Sequence, residues 1–188
     1  MESDILVPHG LWGGDGTTTL DAIAKFLTTN NFNAVRLPLA VDAVLSNKEV
    51  TLSKIINEKK LQTSFSGKTL HYFDVLDYVL DVFAQHKILV LLDCHLLVAG
   101  TSITPLCGNK TFGAAMVVGE WGGSYETQDD QTWQKAFVKY LENKGLSWFY
   151  WCVNPNSGDT EGLLGNDWTT PRTDKISLLA GFKGSVVP

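Results

Sequence analysis

The chain has 188 residues, a net charge of −5, 44% hydrophobic and 19% charged residues, a composition typical of one globular domain with a real core. Its Lys and Arg residues are scattered along an acidic chain, which argues against a nucleic-acid or anionic-membrane surface. No apolar run reaches 18 residues, so we expect no transmembrane helix, and the acidic start MESDILVPHG lacks the pattern of a signal peptide. Three cysteines without a CxxC pair argue against a zinc site.

Helical and apolar segments alternate along the chain. Leu20, Ile23 and Leu27 repeat at helical spacing behind a Thr cap, and Leu70, Phe73 and others form a second stripe. Continuous apolar runs such as KILVLL are typical of strands buried on both faces of a parallel sheet. The predicted helices are 17–31, 70–85, 130–143 and 171–182, and the predicted strands are 32–39, 87–92, 114–118 and 146–153. The pattern predicts an α/β fold with parallel strands, a polar loop over 47–67 and no helix over 96–113.

Polar or aromatic residues follow all four predicted strands. They are Arg36 after the first, Asp93 and His95 after the second, Glu120 and Trp121 after the third, and Trp151 and Asn154 after the fourth. Ligands of parallel α/β sheets bind beyond the carboxyl ends of the strands. We therefore expect these residues to form one site.

The stretch MVVGEWGG places the carboxylate of Glu120 at the tip of an apolar run, among glycines that permit close backbone approach. Glu120 has three possible roles there: nucleophile, general base or metal ligand. A nearby Arg36 would keep it ionised, which suits a nucleophile. His95 can donate to a substrate hydroxyl and Trp151 can stack on a ring, so the set suits a sugar. The four histidines have no metal-ligand spacing, which makes the metal interpretation the weaker one.

Two further patterns predict no function. GGDGTTT, residues 13–19, precedes a helix but lacks the Walker lysine and the dinucleotide spacing. Cys94 adjoins His95 in sequence, but neighbours on a strand point to opposite faces and do not form a catalytic pair. Cys94 and Cys152 lie in apolar runs and are expected to be core residues.

Five motifs, in this order, together resemble the glycoside hydrolase family 5 cellulases. They are HGLW (9–12), FNAVRLPL (32–39), ILVLLDCH (88–95), VVGEWGG (117–123) and WFYWCVNPNSGDTEGLLGNDW (148–168). The resemblance implies a TIM barrel and retaining hydrolysis of β-1,4-glucan, in a family that is usually secreted. It implies that Glu120 is the nucleophile, that Arg36 holds this carboxylate, that His95 lines the sugar subsite at the cleavage point and that Trp151 is an aromatic platform. Trp121, Asn154 and Asp93 are expected to line the same substrate site, with no cofactor or metal.

A complete barrel needs eight strands in about 250 residues, whereas this chain predicts four. By resemblance these are strands 2, 3, 7 and 8 of a partial (β/α)8 barrel, in one incomplete domain spanning residues 1–188. Only 24 residues separate His95 from Glu120, too few for three βα units. The family's Asn-Glu-Pro motif, which carries the acid/base Glu, belongs in that interval and is not found. Glu126, Asp159 and Glu161 lie in loops near the site and are the candidates to replace it.

The sequence therefore predicts a β-glucan hydrolase of weak or no activity, for which the acid/base residue and the compartment are open. Two alternatives remain. One is a non-catalytic carbohydrate-binding pseudoenzyme that uses Trp12, Trp121 and Trp151, and the other is a gene model that lacks its middle. Four parallel strands cannot close a barrel, so the exposed strand edges also predict a possible homodimer.

Overall fold

The structure is a computed structural model that describes residues 18–49, 69–96 and 117–182. These residues form four strands and five helices that alternate for most of the chain, as the sequence predicts. In chain order the elements are α1 (Leu20–Thr29), β1 (Ala34–Ala40), α2 (Val41–Ser46), α3 (Tyr72–Gln85), β2 (Leu89–Leu96), β3 (Val117–Trp121), α4 (Gln128–Lys144), β4 (Ser147–Tyr150) and α5 (Thr173–Leu179). Motif HGLW and the segment 97–116 lie outside the described residues, and so does most of the predicted 47–67 loop.

The helix ends follow from capping chemistry. Thr19 caps α1 by accepting a hydrogen bond from the Ala22 N–H at 3.1 Å, and Thr127 caps α4 through the Asp130 N–H at 3.2 Å. Gly145 ends α4 with φ +60°, a left-handed conformation that favours glycine. The sequence predicts these helices correctly but misses α2, because six residues are too few for a helical repeat to show.

The strands pair in two parallel sheets. β1 pairs with β2 in a register that sets Arg36 beside Leu91, and β3 pairs with β4 with Val118 beside Trp148. β1 also contacts β4, but these two strands belong to different sheets. The described strands therefore form a partial, unclosed α/β barrel. We call the two sheets β1–β2 and β3–β4, with their helices, the wall.

Two apolar clusters support the two sheets. The first lies between α1, β1 and α3 and includes Leu20, Leu27, Leu37, Val75 and Val79. The second lies between β3, β4, α4 and α5. Phe26 and Phe32 pack against both clusters, so α1 and the turn that follows it join the two halves of the wall.

The prediction that the strands are buried on both faces is wrong for β2 and β3. Leu89 and Leu91 of β2 are 56% and 47% exposed, and Val117 of β3 is 46% exposed. Leu92, which neighbours Leu91 and points to the opposite face, is 49% exposed as well, so β2 is incompletely covered on both faces. These apolar side chains consequently face an open space.

Candidate active site

Arg36 connects the two sheets. The sequence places Arg36, Asp93 and Glu120 after their strands, but in the structure they lie inside β1, β2 and β3. Its Nη1 donates to Glu120 Oε2 at 3.0 Å, and its Nη2 donates to Asp93 Oδ2 at 2.7 Å. The Arg36 side chain is only 12% exposed, while those of Asp93 and Glu120 are 27% and 43% exposed. One buried guanidinium thus holds two carboxylates, and Glu120 is the more accessible of them.

The sheet register explains why these three residues meet. Arg36 pairs with Leu91 across the β1–β2 ladder, so Arg36 and Asp93 project from the same face of that sheet. Glu120 comes from β3 in the other sheet, 84 residues further along the chain. The contact predicted from the strand ends is therefore present, although it bridges two sheets rather than lying within one.

The glycines after Glu120 allow two backbones to approach each other. A Cβ on Gly122 would collide with the carbonyl oxygen of Trp151, and one on Gly123 would collide with the Asp130 carboxylate. The Trp151 N–H donates to the Trp121 carbonyl at 2.8 Å, which continues the β3–β4 pairing past the strand ends. Gly122 and Gly123 therefore bring the loop that follows Glu120 against the loop that carries Trp151.

Asp130 and Gln134 of α4 hold the loop after Glu120. Asp130 accepts from the Tyr125 N–H at 2.5 Å and from Gln134 Nε2 at 2.8 Å, and Gln134 Oε1 accepts from the Tyr150 hydroxyl at 3.1 Å. Partial burial raises the pKa of Asp130, but the hydrogen bonds from Gln134 and Tyr125 outweigh it and hold this pKa below its usual value. Sequence reasoning missed this support because a polar pair at i and i+4 looks like an exposed helix face.

Trp151 is partly buried and is held at its edge. Its indole Nε1 donates to Ser157 Oγ at 3.1 Å, and Ser157 in turn donates to Asp159 Oδ1 at 2.8 Å. The peptide between Trp151 and Cys152 is cis. The platform residue predicted from the sequence is thus fixed by the loop that follows it.

An open cleft of about 420 Å³ lies between α1, β1 and β4. Arg36, Glu120, Asn154 and Ser157 line its polar part, together with Trp151, and side chains of α1 line its apolar part. Volumes of a few hundred Å³ with a few converging polar groups are typical of small-ligand sites. The cleft therefore provides a polar and an aromatic wall for a sugar-sized ligand.

Trp121 was expected to line the substrate site, and the structure corrects this. Its side chain is 7% exposed and packs edge-to-face against Tyr150 and Phe137, with ring centroids 5.0 and 5.2 Å away. Adjacent strand residues point to opposite faces, so Glu120 faces the cleft while Trp121 faces the core beneath α4. Trp121 is a core residue and offers no stacking face.

The three candidate replacements for the acid/base residue are not equivalent. Glu161 forms an ion pair with Arg172, and the hydrogen bond from Ser157 holds the pKa of the exposed Asp159 below its usual value. The lowered pKa of Asp159 favours its ionised form, which cannot protonate a leaving group, whereas the carboxylate of Glu161 is engaged by Arg172. Glu126 is exposed, and its backbone N–H donates to Ser124 Oγ.

The sequence also singles out His95 and the cysteines. His95 lies in β2, but its side chain, like that of Cys94, is outside what the structure describes. Cys152 is buried, as predicted, and is a free thiol whose pKa burial raises to about 12. Among residues 18–49, 69–96 and 117–182, no group of three His, Cys, Asp or Glu side chains is placed to hold a metal ion. None of the helices in these segments is long and apolar enough to cross a membrane.

Arg172 and Lys175 support the site but were missed by sequence reasoning. Arg172 donates to the Ser124 carbonyl at 3.1 Å, and the fully buried Lys175 donates to the Thr160 carbonyl at 2.7 Å. A signal was available, because Lys175 precedes the buried Leu179 by four residues and so occupies the apolar stripe of α5.

Sequence comparisons point to endoglucanases. The sequence model of the cellulase family (glycosyl hydrolase family 5) matches residues 108–157. The "Major extracellular endoglucanase" of Xanthomonas campestris pv. campestris is 51% identical over 80 residues, which cover 39% of this chain and 16% of that protein. "Endoglucanase G" of Acetivibrio thermocellus is 44% identical over 66 residues, which cover 35% of this chain and 12% of that protein. The matches thus span less than a fifth of these relatives.

Structural comparisons give the same fold over nearly the whole chain. A hyperthermophilic endocellulase from Pyrococcus horikoshii aligns with a TM-score of 0.73 at 17% identity, covering 95% of this chain and 89% of that one. The catalytic domain of the major Xanthomonas campestris endoglucanase aligns with a TM-score of 0.67 at 21% identity, covering 95% and 90%. These are TIM-barrel enzymes, so the partial wall described here is of the barrel type.

Proposed function

Since the chain is a family 5 cellulase-like protein, we propose that it acts on the glycosidic bonds of β-1,4-glucan with Glu120 as the nucleophile of a retaining mechanism. The observation that carries this proposal is the hydrogen bond of 3.0 Å from Arg36 to Glu120 at the polar part of the cleft. The guanidinium holds and orients the carboxylate, and the 43% exposed side chain is accessible to an anomeric carbon.

Two further residues of the cleft receive roles that fit their contacts. Trp151 stacks on the apolar face of a pyranose ring, and Asn154 binds its hydroxyls. The same role for His95 rests on the sequence resemblance alone. Asp93 occupies the second donor of Arg36 and fixes the orientation in which the guanidinium meets Glu120. Asp93 is therefore a positioning residue in this scheme.

Hydrolysis of unactivated glucan is expected to be weak. A retaining mechanism needs a second carboxyl about 5–5.5 Å from the nucleophile to protonate the leaving oxygen. The hydrogen bond from Ser157 holds the pKa of Asp159 below its usual value, and Glu161 is engaged by Arg172, so neither carboxyl suits this role. The loss of general acid catalysis costs about 10²- to 10⁴-fold in rate. A substrate whose leaving group departs without a proton avoids this loss.

The four strands correspond, in this proposal, to strands 2, 3, 7 and 8 of the family barrel, in one incomplete domain. Two observations support the assignment: β1 contacts β4 without sharing a sheet with it, and β2 and β3 leave apolar residues uncovered. A second copy of the chain that pairs along the β2 and β3 edges would cover these residues.

A second candidate function is carbohydrate binding without catalysis. It is favoured by the anchored Trp151 ring, whose support by Ser157 needs no acid/base residue. In a binding protein, Trp151→Ala abolishes oligosaccharide binding while Glu120→Gln changes it little. In an enzyme, Glu120→Gln abolishes turnover.

A trapping experiment tests the nucleophile directly. The purified chain is incubated with a 2-fluoro cellobioside that carries a dinitrophenyl leaving group, and its intact mass is recorded. Attack by a Glu120 oxygen on the anomeric carbon expels dinitrophenolate without a proton, so one fluoro-disaccharide is added and maps to Glu120. Glu120→Gln should give no adduct, whereas Glu126→Gln, which alters an exposed carboxylate nearby, should give the same adduct as the unsubstituted chain.

The opposite result has a defined meaning. If a sample that melts cooperatively gains no adduct, Glu120 is not a nucleophile and the binding function is favoured instead.

A further inference from the structure

Lys175 is a cation with no access to solvent. Its side chain lies in α5 at 0% exposure, and Nζ donates to the carbonyl of Thr160 at 2.7 Å and to that of Gly162 at 3.3 Å. Burying an ammonium group costs several kcal/mol unless hydrogen bonds compensate it. An apolar residue at this position would avoid that cost. What Lys175 adds is a pair of hydrogen bonds that fixes the positions of the two carbonyls.

Hydrogen bonds connect these carbonyls to the platform ring. The Thr160 hydroxyl is 2.7 Å from Ser157 Oγ, and Ser157 Oγ accepts from the Trp151 indole at 3.1 Å. Gly162 packs so closely on the Asn154 carbonyl that a Cβ would not fit. A displacement of the 160–162 backbone is therefore transmitted to the residues that line the cleft.

The start of α5 also reaches the loop on the other side of the cleft. Arg172 pairs with Glu161 and donates to the Ser124 carbonyl at 3.1 Å. Ser124 closely follows Glu120, while Glu161 lies between the two carbonyls that Lys175 binds. Arg172, which precedes α5, and Lys175 within it thus tie the loop after β3 to the loop after β4.

We propose that Lys175 is a positioning residue, which holds the 160–162 backbone so that Trp151 presents its ring to a sugar beside Glu120. This inference rests on the proposed function, because it assigns Trp151 to substrate binding. It extends that function by placing a determinant of affinity on α5, which contributes no residue to the cleft wall. A lysine that merely filled space would be replaceable by a side chain of equal volume.

Lys175→Met tests this, since methionine fills a similar volume and donates no hydrogen bond. The probes are cellotetraose binding by calorimetry and the concentration dependence of trapping by the dinitrophenyl 2-fluoro cellobioside. We expect Lys175→Met to weaken binding, and to raise the concentration for half-maximal trapping, by about tenfold, while the limiting trapping rate changes less than about threefold. Lys175→Arg, which retains a donor, should restore part of the affinity.

Leu179→Ala is the matched control. Leu179 is buried in the same helix at 5% exposure and forms no hydrogen bond to the loop, so its truncation should lower the melting temperature without changing affinity.

A Trp151→Phe background gives a second test, because phenylalanine keeps a ring but lacks the indole donor. There, Lys175→Met should add little further loss, since both substitutions break the same chain of contacts.

Three results would overturn the proposal: equal affinity loss in Leu179→Ala, full additivity in the Trp151→Phe background, or no affinity loss in Lys175→Met. Binding of cellotetraose without trapping would remove only the catalytic role of Glu120 and leave the test of Lys175 intact. Absence of both in the unsubstituted chain would overturn this inference together with the proposed function.

Discussion

Gly122 and Gly119 flank Glu120 in the same short stretch, yet their surroundings differ completely. A Cβ on Gly122 would overlap the Trp151 carbonyl oxygen, which is backbone and cannot rotate away, whereas a Cβ on Gly119 would meet no atom within 4 Å. We expect Gly122→Ala to lower the free energy of unfolding by about 1–3 kcal/mol. Gly119→Ala should leave it unchanged or raise it slightly, because alanine restricts the unfolded chain.

Denaturant unfolding of the two variants measures this difference. Equal stabilities would mean that the close approach of the two loops is not required.

The Cys152 thiol predicts a pH dependence. Burial raises its pKa to about 12, compared with about 8.5 in an unfolded chain. Above about pH 8.5 the unfolded chain therefore loses a proton that the folded chain keeps, so this contribution to stability is present below that pH and decreases as pH rises toward 12. Cys152→Ala removes the effect.

We expect the unsubstituted chain to lose about 1.4 kcal/mol more per pH unit than Cys152→Ala between about pH 9 and pH 11. Urea unfolding at several pH values compares the two slopes directly. Parallel slopes would show that the thiol is accessible to solvent in the folded protein.

At the scale of elements, the cap of α4 matters because this helix holds the loop after Glu120 through Asp130. Thr127 accepts from the Asp130 N–H at 3.2 Å, so Thr127→Ala should cost about 0.5–2 kcal/mol of stability. Thr132→Ala in the same helix is the matched control. Its hydroxyl bonds the Gln128 carbonyl within the helix, and alanine has the higher helix propensity, so stability should be unchanged or slightly higher.

Thermal unfolding followed by far-UV circular dichroism gives both values. A cost for Thr132→Ala as large as that for Thr127→Ala would contradict the capping role.

The sequence predicts helix and strand positions well, because capping residues and apolar runs are local signals. It predicts which face is buried less well. Phe73 was assigned to the buried stripe of α3 but is 42% exposed, because it lies one turn before Asp77 on the acidic side of the helix, while the buried stripe runs through Val75, Val79 and Val82. The Arg36–Glu120 contact followed from strand ends, whereas the roles of Lys175 and Arg172 depend on backbone carbonyls that side-chain patterns do not encode.

At the scale of the whole molecule, the residues that hold the loops of the candidate site differ from those that would close the barrel. The loops that follow β3 and β4 are held by α4 and α5 of the same half of the wall, while Arg36 and Asp93 come from the half that carries β1 and β2. Closing the wall depends instead on the uncovered residues of β2 and β3. The site can therefore be ordered locally even where the barrel-type wall is open.

Leu89 and Leu91 on β2 and Val117 on β3 leave apolar surface at the open side of the wall. Two four-stranded halves supply the eight strands of a barrel, and pairing of parallel edges would bury this surface. We expect light scattering at micromolar concentration to give twice the monomer mass of 20.7 kDa. Leu91→Lys should return the mass to that of the monomer, because a charge would be buried in the new interface. Leu45→Lys, which alters an 80% exposed leucine of α2 away from these edges, should leave the doubled mass unchanged, and a monomeric unsubstituted chain would sink the idea.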